Sequence, residues 1–185
     1  MLAVISTNNE ELAEDNLAIL ADKFNSEHDV LTAEIIPNDG SIGLPEIYNS
    51  TIKDYLETGT EDFLFIHHDV EMIADHWNEK IENLKKQGCN IIGIAGTSNF
   101  DLNTGFWWIS RDKPIFSNCY GSVKHSEGEK EWISVYGPAP KLNIEVIDGL
   151  FMYVHSNVFK SGIYFDERFK FHFYDISFCI RAIKA

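Results

Sequence analysis

Hydrophobic positions in the first half of the chain come in short runs that alternate with helical spacing. Residues 2 to 6 form an apolar run ending in Ser6-Thr7-Asn8-Asn9, after which Leu12, Leu17, Leu20 and Phe24 recur on one helical face. The order predicts strand, polar loop, helix. Val30 to Ile36 reads as a second strand, stopped by the turn residues Pro37-Asn38-Asp39-Gly40. A helix from about Pro45 to Leu56 follows, with proline tolerated in its first turn. Phe63 to Ile66 then reads as strand, Trp77 to Lys86 as helix, and Ile91 to Ile94 as strand between Gly88 and Gly96.

Past Gly96 the pattern changes. Gly105-Phe106-Trp107-Trp108-Ile109, Ile115 to Tyr120 and Glu131 to Tyr136 are short aromatic or β-branched pieces that resemble hairpins rather than crossover units. The polar stretch Lys124 to Lys130 predicts an exposed loop. Asn143 to Ile147 and Leu150 to Val154, joined by Asp148-Gly149, predict a strand pair or one bent strand, and Phe178 to Ile183 has partial helical spacing. The three strand–helix alternations predict an α/β fold: a mostly parallel central sheet flanked by helices, with an antiparallel hairpin region in the C-terminal half. No repeat or low-complexity linker divides residues 1–185, so a single domain is expected.

Composition narrows the function. With 44% hydrophobic residues in 185, the chain can bury one substantial core. A formal charge of -14 opposes general attraction to phosphate backbones or anionic lipid, which argues against nucleic-acid and membrane partners. It does not exclude a phosphorylated ligand whose charge is offset by a bound cation. Cys89, Cys119 and Cys179 are too few and too scattered for a disulfide framework or a zinc knuckle. A reducing, cytoplasmic setting is expected, since no leader pattern or membrane-length apolar run is present.

Candidate chemistry gathers at two clusters. His67-His68-Asp69-Val70 closes the run Phe63 to Ile66, placing metal-capable side chains where a buried strand meets solvent. Asp69 is suited to a hard divalent ion, Mn²⁺ or Mg²⁺, that bridges two phosphates while keeping several waters. His67 lies at the i,i+2 spacing that shares its side and is the better co-contact. The bland reading is an Asp69 helix cap. His172-Phe173-Tyr174-Asp175 is the second cluster, where Asp175 is a candidate base and His172 its partner, or Asp175 is a structural carboxylate pairing with Arg181. A zinc hydrolase using His67, His68, Asp69, His155, His172 and Asp175 lacks any tight zinc spacing. His28 and His76 read as surface residues. Asp148, before Gly149, suits a sugar hydroxyl or a buried turn. Of Trp107 and Trp108, alternation turns one to a sugar or base and the other to the core. Asn49 suits the phosphate end of a donor, or simple exposure.

The ordered series Ser6-Thr7-Asn8-Asn9, Ile47-Tyr48-Asn49-Ser50, Phe65-Ile66-His67-His68-Asp69-Val70, Ile92-Gly93-Ile94-Ala95-Gly96, Asp148-Gly149-Leu150-Phe151-Met152, Phe165-Asp166-Glu167 and His172-Phe173-Tyr174-Asp175 resembles the streptomycin-biosynthesis-type branch of the family 2-like glycosyltransferases. The resemblance spans nearly the whole chain. It implies a GT-A fold with a nucleotide-sugar-binding half over about 1–96 and an acceptor side over about 97–185. It also implies a nucleotide diphosphate sugar donor and a hydroxyl acceptor, either a glycan or a small molecule. The family's Asp-x-Asp falls on His67-His68-Asp69, keeping the last carboxylate and replacing the first by His67, which then touches donor ribose or phosphate or the metal. Thr7 and Asn9 fall in the nucleotide loop, and Asp39 faces the base or ribose. A second acidic pair near the end matches only at Asp175, since Ser177 stands in the other position. The leading expectation is metal-dependent, inverting sugar transfer. A noncatalytic nucleotide-sugar or glycan-binding module is the first alternative, ahead of a nucleotidyltransferase or metal hydrolase.

Overall fold

A computed structural model describes residues 1–24, 30–109 and 113–185. His28, expected on the surface, lies outside the described residues. The chain order is β1 (Leu2–Thr7), α1 (Glu10–Asp22), β2 (Thr32–Pro37), α2 (Leu44–Glu57), β3 (Asp62–Ile66), α3 (Trp77–Lys85), β4 (Ile91–Gly93), β5 (Ala95–Thr97), β6 (Cys119–Glu127), β7 (Lys130–Gly137), β8 (Val146–Ile147), β9 (Phe151–His155), α4 (Ser156–Lys160) and α5 (Tyr174–Lys184). The early elements start where their sequence signals stand. Asn9 caps α1 by accepting from Leu12 N at 3.2 Å, and Pro45 sits in the first turn of α2.

The central sheet has the order β2-β1-β3-β9-β4. The inner strands β1, β3 and β9 are buried on both sides, so they read as continuous apolar runs whose alternate residues serve opposite faces. Leu2, Val4, Phe63, Phe65, Met152 and Val154 enter one core with Tyr48 and Ile52 of α2, Phe159 of α4 and Phe178 of α5. Ala3, Ile5, Leu64, Ile66, Phe151 and Tyr153 enter the other with Ala13 and Leu20 of α1 and Trp77 and Ile81 of α3.

The sheet is mixed, which corrects the mostly parallel expectation. β1 pairs in parallel with β2 and β3, whereas β9 runs antiparallel to both β3 and β4. The β-α order predicts parallel neighbours only while successive strands stay adjacent. Here β9 arrives from far along the chain and inserts between β3 and β4. A second, wholly antiparallel sheet has the order β7-β6-β5-β8. The chain passes from the first sheet to the second between β4 and β5, and back again between β8 and β9 through Asp148-Gly149-Leu150. Lys124 to Lys130, expected as a loop, is strand over most of its length: β6 and β7 pair from Glu127↔Lys130 to Gly121↔Gly137. Residues 105–109 form turns rather than a strand.

Candidate functional site

Parallel pairing of β1, β2 and β3 puts their carboxyl ends on one edge of the sheet, where open α/β sheets bind ligands. Antiparallel β9 begins at that same edge, since Phe151 pairs with Ile66 and His67 N donates to Leu150 O at 3.1 Å. Thr7 and Asn9, Asp39, His67 to Asp69, and Asp148 therefore share one rim. Asn16 of α1 steadies the strand end by donating from Nδ2 to His68 O at 2.8 Å, a contribution the sequence did not signal.

The two polar clusters meet through Tyr174. Its hydroxyl donates to Gly149 O at 3.1 Å, because a carbonyl can only accept, and its oxygen then accepts from His67 Nε2 at 2.9 Å. Burial lowers the His67 pKa, with Asp69 and Asp148 opposing that shift, which favours the neutral imidazole; where Tyr174 donates to Gly149 O, the ring proton sits on Nε2. Nδ1 is left as an acceptor. It suits a hydroxyl proton or a cation, but not a phosphate oxygen, which has no proton to give. Tyr174 is itself buried, its ring edge against Tyr48 with centroids 5.9 Å apart. Nothing in the local sequence distinguished this tyrosine from the other aromatics.

Asp175 opens α5 and ties it to the rim. Its Oδ2 accepts from Gly149 N at 2.9 Å and its Oδ1 from Ile176 N at 2.8 Å. Burial pushes its pKa up to about 6; the Asp148 charge adds to the rise, and the two backbone N–H groups oppose it. Asp148 accepts from Leu150 N at 2.9 Å and from Trp107 Nε1 at 2.8 Å. Asp175 does not pair with Arg181, whose guanidinium instead lies 3.9 Å from Asp166.

The remaining candidates divide. Thr7 Oγ1 closes a turn with the Asn9 backbone at 2.8 Å, and Asn9 caps α1, so both side chains already shape the rim loop. Asp39 is exposed and accepts from Ser41 N at 2.9 Å; the Ser41 hydroxyl first and this N–H second hold its carboxyl below the usual carboxylate range. Asn49 is buried away from the strand ends and clamps a distant turn. Its Nδ2 meets Phe165 O at 2.9 Å and Glu167 Oε1 at 2.8 Å, while Oδ1 accepts from Phe165 N at 3.0 Å. Trp107 turns into the core and Trp108 lies half-buried beside it. His172 is exposed, with its ring against Phe171 and Phe173. Asp69 does not cap a helix, since α3 begins only at Trp77.

Asp69 is exposed, and among the described residues its carboxylate makes no hydrogen bond or ion pair. No group of three or more His, Cys, Asp or Glu suited to a metal ion is present among the described residues. β3 ends at Ile66 and residues 67–70 turn, Val70 N donating to His67 O at 3.3 Å, so the same-side spacing expected of a continuing strand does not apply; Asp69 and His67 offer a carboxylate and an imidazole from one turn, and a hard cation that keeps its waters needs few protein ligands. Among the described residues no helix is long and apolar enough to cross a membrane.

Comparison with solved structures finds the crystal structure of A197 from STIV, with a TM-score of 0.58 at 10% identity, covering 98% of this chain and 77% of that one. This is a likeness of fold. No curated protein matches the sequence. The model of the glycosyltransferase-like family matches residues 3–185. With that match running through the strand-end His67-His68-Asp69 and the helix-opening Asp175, the chain belongs to the glycosyltransferase-like family.

Proposed function

We propose that this protein transfers a sugar from a nucleotide diphosphate donor to a hydroxyl acceptor, with Mn²⁺ or Mg²⁺ at Asp69 and inversion at the anomeric carbon. The observation that carries this reading is the presence, on one rim, of an exposed carboxylate, Asp69, and a half-buried one, Asp175, held by the N–H groups of Gly149 and Ile176; burial pushes the Asp175 pKa up to about 6. Carboxylates in such different surroundings take different roles. A bound cation would offset the charge of the departing diphosphate. Asp69 would hold it, with His67 Nδ1 as a second contact. Asp175 takes the acceptor proton as the oxygen bonds to the anomeric carbon and the bond to the diphosphate breaks. Asp148 lies beside it, suited to a sugar hydroxyl, and His172 stands exposed three residues before it. Thr7, Asn9 and Asp39 lie where the nucleotide would enter. Assignment to the streptomycin-biosynthesis-type branch, and to a reducing cytoplasmic setting compatible with three free cysteines, belongs to the same reading.

One observation favours the noncatalytic nucleotide-sugar or glycan-binding alternative. Both Asp175 oxygens already accept backbone N–H groups, and Ser177 spends its hydroxyl on Tyr174 O at 3.0 Å. Turnover decides between the two. Under the transferase reading Asp175→Asn loses two or more orders of magnitude of sugar transfer while donor binding persists. Retained turnover in that variant rejects Asp175 as the base.

A further inference from the structure

An exposed aromatic surface beside the rim is assembled from two distant segments. Phe106 and Trp108 of the 101–109 loop have ring centroids 5.1 Å apart, and Phe106 lies 6.4 Å from Phe173, which directly precedes Tyr174 and Asp175. Phe106 is 43% exposed and Phe173 41%, while Trp107 between the first two turns inward to donate to Asp148. The same short stretch therefore anchors on a rim carboxylate and leaves Phe106 exposed beside a half-buried Trp108.

The rings are held before any ligand arrives. Thr104 Oγ1 lies 2.9 Å from Asp101 O and 3.0 Å from Ile109 O, and Phe116 N donates to Trp108 O at 3.0 Å. Phe173 has φ +65, a left-handed conformation that aromatic residues rarely adopt. Its ring packs against Phe106 and Phe169 while staying 41% exposed, and backbone strain of this kind concentrates at binding sites.

We propose that Phe106, Trp108 and Phe173 form a platform for a neutral sugar ring, so that the acceptor is a saccharide; the word acceptor rests on the transfer proposed above. A pyranose presents an apolar C–H face, which an aromatic surface covers, and an edge of hydroxyl donors. Asp148 and Asp175, next to the platform, accept from such hydroxyls. The same carboxylates repel an anionic ligand. A second copy of the chain is disfavoured here because each copy carries a formal charge of -14.

Cellotriose, chitotriose and maltotriose are titrated into the whole chain, with tryptophan fluorescence and saturation-transfer NMR as readouts and no nucleotide present. At least one gives a saturable response. Phe106→Ala and Phe173→Gly each weaken it about three- to tenfold, the range expected for removing one stacked ring. Glycine is chosen at 173 because it keeps the left-handed backbone. Trp132→Phe, on the distant hairpin, leaves the response unchanged. Absence of a saturable response, or affinity indifferent to both ring removals, overturns the proposal. Self-association that disappears in Phe106→Ala and Phe173→Gly, without saccharide binding, assigns the surface to a second copy and overturns it equally. Donor binding is measured separately by thermal stabilisation. Saccharide binding without donor binding refutes the transfer and keeps the platform, and the reverse refutes the platform alone.

Discussion

Gly149 occupies a position with no room for a side chain. A Cβ there would overlap the Tyr174 hydroxyl and lie 2.7 Å from Tyr174 Cζ and 3.2 Å from Asp175 Cβ. Tyr174 cannot withdraw without releasing His67. Gly149→Ala is therefore expected to destabilise by about 1–3 kcal/mol, as overpacking does, measured by urea denaturation. Tyr174→Phe keeps the packing but removes both hydroxyl bonds, for a cost of about 1–2 kcal/mol. Its sharper signature is the tautomer of His67. Nitrogen NMR is expected to show the Nε2-protonated form in the native protein and a mixture in Tyr174→Phe. The pH dependence of Asp175 has a definite sign. Folding raises its pKa from about 3.9 to about 6, so the native state holds the extra proton and stability falls as pH rises through that window. Below about pH 4 the contribution is complete, and above about pH 6 it is gone. The limb should be shallower in Asp175→Asn, and turnover should rise with pH through about 6 in the native protein.

Elements differ in how plainly the sequence declares them. β1 and β3 were legible because they are apolar on both faces, and α1 and α2 because they begin at ordinary signals, Asn9 and Pro45. β6 and β7 were not fully legible. Most of their side chains face water, so Lys124 to Lys130 carries no apolar alternation to report a strand. The insertion of β9 beside β3 is likewise invisible locally, since pairing partners are chosen by the tertiary fold. The candidate site was half legible. The strand-end position of Asp69 and the tertiary meeting of the two clusters follow from the sequence pattern, but the joining group is Tyr174, which looked like one core aromatic among many. Asn49 shows the opposite error: a polar residue on an apolar helix suggested a ligand, whereas its amide links α2 to residues 165–167. Asn49→Ala leaves the Phe165 N–H and C=O without that partner and is expected to cost about 2–4 kcal/mol by denaturation. On the edge strand β7, Ile133 and Val135 are exposed, so Ile133→Lys should change stability by less than about 0.5 kcal/mol while reducing any self-association seen by sedimentation.

At the scale of the whole molecule, the proposed transfer asks an acidic chain to hold a ligand with two phosphates, and the candidate groups for it lie at one rim. Three parallel strand ends, one returning strand and the first turn of α5 converge there, with Asp69 open to solvent and Asp175 half-buried. The charge of -14 makes a cation the natural intermediary between protein and diphosphate. The direct test is thermal stabilisation by a panel of nucleotide diphosphate sugars, with and without Mn²⁺, on the native protein and on Asp69→Ala. Binding at a hundred times Kd raises stability by about 2.7 kcal/mol, or roughly 5–10 °C for a chain of this size. The account predicts such a shift for at least one donor, only with Mn²⁺, and its loss in Asp69→Ala. Donor stabilisation that ignores both the cation and Asp69 would contradict it.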